Sequence, residues 1–177
     1  MAHYSRILTN SNSLKKFSKR ISEENDCLNK GYEFEKFVVS KFNPDFFTLL
    51  EWRSDKTSGG IHPVSNCYPD LIYKFSLKGQ SKYFAVECKF KTNLCNDSLW
   101  VEQYKIENYL RFQDKYRMKV FIVFGIGGHP HHPNELCIVP LESLNNSNKL
   151  YKNELYHYRK NNPQEYFYFD YENLLLQ

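Results

Sequence analysis

Two apolar runs of strand length lie close together in the chain, Leu71-Ile72-Tyr73-Lys74-Phe75 and Tyr83-Phe84-Ala85-Val86-Glu87-Cys88-Lys89-Phe90. The polar Lys78-Gly79-Gln80-Ser81 between them predicts a hairpin. Upstream, Phe34, Phe37, Val38 and Phe42 recur at helical spacing and predict a helix over 28–42, ended by Asn43-Pro44-Asp45. Residues 46–52 read as the first strand. The continuous apolar run at 119–125 predicts a central strand covered on both faces, followed by a turn over 125–133 and a partner strand at 136–140. Between these strands, Asn96-Asp97-Ser98 offers capping residues for a helix from about 99 to 116. Trp100, Tyr104, Tyr109, Leu110 and Phe112 would supply much of its buried side. Strands alternating with helices predict an α/β chain with a central mixed sheet and helices on both faces.

Alternation along the second strand sets Glu87 and Lys89 on one face, and Phe84, Val86, Cys88 and Phe90 on the other. A carboxylate and an ammonium inside an apolar strand are costly unless paired or bound to a metal. Asp70 opens the preceding strand. Two carboxylates can hold a magnesium ion that keeps several waters and takes phosphate oxygens as further ligands. Such an ion stabilises charge on a phosphate and lowers the pKa of a bound water. A lysine beside it positions that water or stabilises developing negative charge. An ordinary solvated ion pair fits the same three residues, and short motifs match falsely often.

The ordered set Pro69-Asp70 … Glu87-Cys88-Lys89 resembles the PD-(D/E)xK nuclease superfamily, whose restriction-endonuclease-like fold includes Holliday-junction-resolvase-like enzymes. Gly31-Tyr32-Glu33-Phe34-Glu35-Lys36-Phe37-Val38 looks like its first helix, with Glu35 at the position of an acidic residue that often joins the metal site. Glu35 borders the apolar stripe, whereas Glu33 turns toward solvent. Glu102-Gln103-Tyr104 matches the place of an active-site glutamine. The resemblance covers residues 31–140 and implies a three-layer fold and magnesium-dependent cleavage of DNA, with manganese able to substitute. It makes Asp70 and Glu87 metal ligands, Glu35 a third or water-mediated ligand, Lys89 the water-positioning and charge-stabilising group, and Gln103 an orienting residue. RNA stays open as a substrate. A homodimer would suit cutting two strands. The alternative is a noncatalytic nucleic-acid-binding domain with a nuclease-like fold.

The remaining features narrow this picture modestly. A chain of 177 residues with 41% hydrophobic and 17% aromatic content can bury one sizeable core, which suggests a single domain over 1–177. Residues 1–27 read as a basic helix or arm around Lys15, Lys16, Lys19 and Arg20, and 150–177 as a C-terminal extension. A net charge of +4 permits nucleic-acid binding without requiring it. The loop 53–68 carries Arg53 and Lys56 directly before Asp70, where they would meet a phosphate backbone or remain solvated. Five cysteines, an odd number without CxxC spacing, look like free thiols and suggest a reducing cytoplasm. No apolar run reaches the roughly 18 residues of a membrane span, and no apolar signal-peptide core opens the chain. His129-Pro130-His131-His132-Pro133 reads better as a proline-bent loop than as a zinc site. The tyrosine-rich tail would stack on unpaired bases or close the core as a terminal hairpin.

Overall fold

The computed structural model describes residues 2–53, 68–144 and 147–177, with residues 2–14 and 24 described by backbone alone. Lys56 and the rest of loop 54–67 lie outside the described residues. A single helix, α1 (Ala2–Ser40), joins the expected basic arm to the expected core helix without a break. It stops two residues short of Phe42, where Lys41 and Phe42 donate to the carbonyls of Val38 and Val39. The strands β1 (Phe47–Trp52), β2 (Leu71–Leu77), β3 (Gln80–Lys91), β5 (Lys119–His129) and β6 (His132–Pro140) form one sheet in the order β1-β2-β3-β5-β6. Only the β3–β5 pair is parallel. Parallel neighbours need a crossover, and α2 (Gln103–Tyr116) supplies it.

The period-two pattern of β3 divides the core. Phe84 and Val86 join Phe34, Phe37 and Val38 of α1 and Phe42 just beyond it on one face, while Ala85 joins Ile106, Tyr109 and Phe112 of α2 on the other. The mixed sheet is therefore covered on both sides. The predicted hairpin turn forms at Lys78 and Gly79, both at positive φ (49° and 80°), closing the β2–β3 ladder at Leu77 and Gln80. The C-terminal hairpin of β8 (Phe169–Asp170) and β9 (Leu175–Leu176) adds Phe169 and Leu176 to the α1-side core. That matches the terminal-hairpin reading of the tail. Among the described residues, no helix is long and apolar enough to cross a membrane, and the four cysteines Cys27, Cys88, Cys95 and Cys137 are free thiols.

Two local expectations need correction. The helix predicted from about 99 starts at Gln103, and Ser98–Trp100 forms a short strand, β4, paired with β7 (Lys149–Tyr151). Asn96 and Asp97 take positive φ (both 51°), a turn conformation rather than a cap. Consequently Trp100 and Tyr104 are exposed, at 47% and 59%. The turn predicted over 125–133 also shrinks, because β5 continues to His129 and β6 begins at His132. Gly127 and Gly128, both at φ 66°, let the ladder bend without ending it.

Gly125 sets how closely α1 approaches the sheet. A Cβ on this residue would lie 2.3 Å from Cε2 of Phe34, which is fully buried. The buried ring or the strand would have to shift, and overpacking of this kind costs about 1–3 kcal/mol. Gly125→Ala is therefore expected to lower unfolding stability by about 1–3 kcal/mol in urea titration. Phe34→Leu in the same chain should recover part of that loss, a non-additivity that marks a shared contact. Additive losses would place the strain elsewhere.

Candidate active site

The ladder between β2 and β3 runs from Leu77–Gln80 to Leu71–Val86 and stops, while β3 continues along β5 to Lys91. One step past the last pair, Asp70 comes opposite Glu87. Directly opposed like charges destabilise a sheet, so the end of the ladder carries an electrostatic cost. The N–H of Cys88, which has lost its strand neighbour on this edge, donates to Oδ2 of Asp70 at 2.7 Å. A side chain thus substitutes for missing backbone. The peptide of Asp70 is held in turn by Arg53, whose N–H donates to the Asp70 carbonyl at 2.7 Å. Its Nη1 donates to the Pro69 carbonyl at 3.2 Å, and its Nη2 is paired with Glu51.

Asp70, Glu87 and Lys89 open into one cleft of about 390 Å3, walled by α1 from Cys27 to Glu35 and by Lys105 of α2. Glu35 is buried and accepts a hydrogen bond from Trp52 Nε1 at 2.6 Å. Glu33 lies outside, exposed and paired with Lys36 at 3.0 Å. The Nζ of Lys89 donates to Oε1 of Glu87 at 2.9 Å, and their side chains are only 12% and 5% exposed. The structure thus brings together Glu35, Asp70, Glu87 and Lys89. Gln103 is not among the cleft's lining residues; it is exposed in the first turn of α2, 3.5 Å from Glu107.

Sequence reasoning missed two members of the cluster. Lys105 lines the cleft and acts electrostatically on Glu87, and the Tyr109 hydroxyl donates to the same carboxylate. The signal was present in the chain. Ile106, Tyr109 and Phe112 fix the buried face of α2, and Lys105 lies one turn from Tyr109 on its edge. Gln103 is two residues from Lys105, about 200° around the helix, and so turns away.

The charges are unequal. Burial raises the pKa of Asp70 well above its ordinary value, and the charges of Glu87 and Glu35 raise it further. Burial also pushes Glu87 upward, but Lys89, Lys105 and the hydrogen bonds from Tyr109 and Lys89 together outweigh it and leave Glu87 below the usual glutamate value. Lys89 resists its own burial because the Glu87 charge and hydrogen bond, with Asp70 behind them, hold its proton more tightly than usual. Among the described residues no three His, Cys, Asp or Glu side chains form a ready-made metal cage. The donor chemistry still fits a hard cation that keeps most of its waters, for which one or two carboxylates suffice. Repulsion at Asp70 is what such a cation would relieve.

Neither a protein-family model nor a curated protein matches the chain. Among solved structures, it is similar to the 1.6 Å structure of Hjc, a Holliday junction resolvase from the archaeal hyperthermophile Archaeoglobus fulgidus. The TM-score is 0.51 at 16% identity, over 72% of this chain and 93% of that one. At this identity the likeness is one of fold. It bears out the mixed sheet flanked by helices that the sequence predicted.

The raised pKa of Asp70 makes a stability prediction for metal-free protein. A carboxyl that binds its proton more tightly folded than unfolded contributes stability that is full below the ordinary aspartate value, 3.8. That contribution is lost as pH rises through the folded value, at about 1.4 kcal/mol per pH unit between the two. Asp70→Asn keeps an acceptor for the Cys88 N–H and removes the charge. In chelator, urea titrations at pH 5 and pH 8 should find the variant at least as stable as wild type at the higher pH, with a flatter pH dependence. A variant less stable at pH 8 than at pH 5, relative to wild type, would show an Asp70 stabilised as the anion.

Proposed function

We propose that the protein is a metal-dependent endonuclease that hydrolyses phosphodiester bonds in DNA. One observation carries this reading: Glu35, Asp70 and Glu87 share a cleft with Lys89, and burial, with the charges of Glu87 and Glu35 added to it, leaves Asp70 reluctant to ionise. A purely structural ion pair between Glu87 and Lys89 would not need the other two acids. The fold shared with a Holliday junction resolvase supports the same reading.

Asp70 and Glu87 would hold magnesium, or manganese in its place, with Glu35 as a third or water-mediated ligand. Bound there, the ion supplies positive charge to the phosphate and acidifies a coordinated water. The protein's own contribution is positioning. Cys88 fixes the Asp70 carboxylate through its N–H, and Tyr109 and Lys89 fix Glu87. Lys89 keeps its charge under burial, so its remaining N–H donors can face a phosphate oxygen or the attacking water. Lys105 adds a second cation on the α2 wall, which assigns to it the phosphate-orienting part first expected of Gln103. Arg53 would meet the backbone near the cleft, and also holds the Asp70 segment through Pro69; Lys56, outside the described residues, is proposed for the same contact from its place in the sequence. Cutting both strands of a duplex calls for two clefts, which a pair of chains would supply. RNA is the competing substrate within this reading. The second reading, a domain that binds nucleic acid without cutting it, draws on the satisfied Glu87–Lys89–Tyr109 network.

Replacing Lys89 and the acids separates these roles. Lys89→Ala leaves both main metal ligands in place and should still bind manganese while losing cleavage by about a hundredfold or more, the scale of one transition-state contact. Glu87→Ala should lose metal binding and cleavage together. The assay is a panel of linear, nicked, branched and single-stranded DNAs plus RNA, each with magnesium, manganese or chelator. Metal binding is followed by titration calorimetry on folded variants. Wild-type cutting rates in Lys89→Ala would remove this lysine from the chemistry. A wild-type protein that binds but cuts nothing in any metal would make the noncatalytic reading the better one.

A further inference from the structure

Two large aromatic rings stand exposed beside the cleft. Tyr32 of α1 is 39% exposed, and Trp52, the last residue of β1, 37%. Their centroids are 5.8 Å apart with an interplanar angle of 29°, a stacked pair. Apolar residues scattered singly over a surface need no explanation, but two rings stacked in solvent beside an acidic cleft do. Tyr32 lines that cleft together with Glu35, Asp70, Glu87 and Lys89. Trp52 reaches the same place through Glu35, whose carboxylate accepts its Nε1–H at 2.6 Å.

The N–H of an indole lies in the plane of the ring. The bond to Glu35 therefore uses the edge of Trp52 and leaves its faces for stacking. A further ring can extend the pair, and every nucleobase offers a π-face whatever its identity. Lys36 Nζ already lies over the Tyr32 ring, 4.3 Å from its centroid, and is paired with Glu33 at 3.0 Å. With the tyrosine so covered, the indole is the surface for a base. Because it stands one hydrogen bond from Glu35, that base would belong to a nucleotide adjoining the phosphate in the cleft. Inside a duplex a base is paired and stacked on its neighbours, and freeing it costs free energy. In a single strand it is free already.

We infer that Tyr32 and Trp52 form a stacking shelf for an unpaired base, so that the site takes single-stranded or gapped DNA in preference to a fully paired duplex or a fully paired four-way junction. The inference rests on the cleft taking a nucleic-acid phosphate, as proposed above. Selection lies in the base being unpaired and not in which base it is, because stacking tolerates sequence. Trp52 then has two tasks: its edge orients Glu35 and its face holds the base.

Tryptophan fluorescence of the full chain tests it. The protein has two tryptophans, so Trp100→Phe leaves Trp52 as the sole emitter. Titrations are made in calcium, with gel analysis to check that each strand stays whole. Oligothymidylate should quench Trp52, whereas paired duplex and paired junction should not at equal nucleotide concentration. A strand of the same length with abasic residues throughout keeps the phosphates; it should bind about tenfold or more weakly, the scale of one stacked base, and leave the emission unchanged. Trp52→Gln keeps an N–H donor for Glu35 but no ring, and should lower oligothymidylate affinity to the abasic level. Trp52→Phe keeps a ring without the donor and should retain most of that affinity. Circular dichroism confirms that each variant is folded. Equal quenching by paired duplex, or an abasic strand that binds as well as oligothymidylate, overturns the inference; cleavage of that duplex would still uphold the nuclease reading. A shelf that stacks bases beside a cleft that cuts nothing would uphold the inference and overturn the nuclease. No binding of any strand overturns both.

Discussion

Everything at the candidate site follows from one mismatch of lengths: β3 outlasts β2. Their ladder ends at Leu71–Val86, but β3 runs on beside β5 as far as Lys91. Beyond that point β3 has a neighbour on one edge only, and its exposed edge needs donors and acceptors from elsewhere. Asp70 answers that need at Cys88 and in doing so comes opposite Glu87. A longer β2 would have closed the edge with backbone, leaving no space between the acids. Among the described residues, the cleft is therefore a consequence of strand termination.

Having opposed two carboxylates, the structure deals with them asymmetrically. Glu87 receives Lys89, Lys105 and Tyr109, whereas burial and the charges of Glu87 and Glu35 at Asp70 outweigh a backbone N–H and the charge of Lys89. In a partly buried setting the Coulomb energy of a close ion pair is several-fold larger than in water, so the assignment of cations decides which acid stays charged. A buried ion pair is weak evidence for stability in its own right. Here its effect is to hold one carboxylate as an anion while the other is left reluctant to ionise. Glu35 reaches the same space because Phe34, its neighbour on α1, seats against Gly125 and because Trp52 on β1 holds its carboxylate.

Much of this was legible because β-strands impose a strict alternation. Once 83–90 is a strand, Glu87 and Lys89 must share a face, and the side chains between them must enter the opposite core; Phe84 and Val86 do so. The helical stripe of Phe34, Phe37, Val38 and Phe42 likewise placed Glu35 rather than Glu33 at the sheet. What resisted reading was governed by tertiary pairing. Asn96-Asp97-Ser98 has the composition of a helix cap, but Leu99 pairs with Leu150 across a ribbon, and a partner some fifty residues away leaves no local signal. That shifted the start of α2, and with it the choice of Gln103 over Lys105. The glycines at 127 and 128 carry turn chemistry, yet ladder bonds on both sides kept them inside a strand. The loop holding Lys56 lies outside the described residues.

Helix α1 links the two halves of the functional picture. Its C-terminal turns are locked against the sheet by fully buried Phe34 and Val38, and burial of each such side chain contributes about 1.5–3 kcal/mol. Among the described residues, the side chains of its outer turns are exposed and have no such anchor. Between them lies the stretch from Cys27 to Glu35 that walls the cleft. An unbroken helix is stiff over this distance, so whatever grips the exposed turns also limits how far that wall can move. The turns seated on the sheet fix Glu35 beside Asp70 and Glu87, and the unbroken helix carries that placement along the wall as far as Cys27.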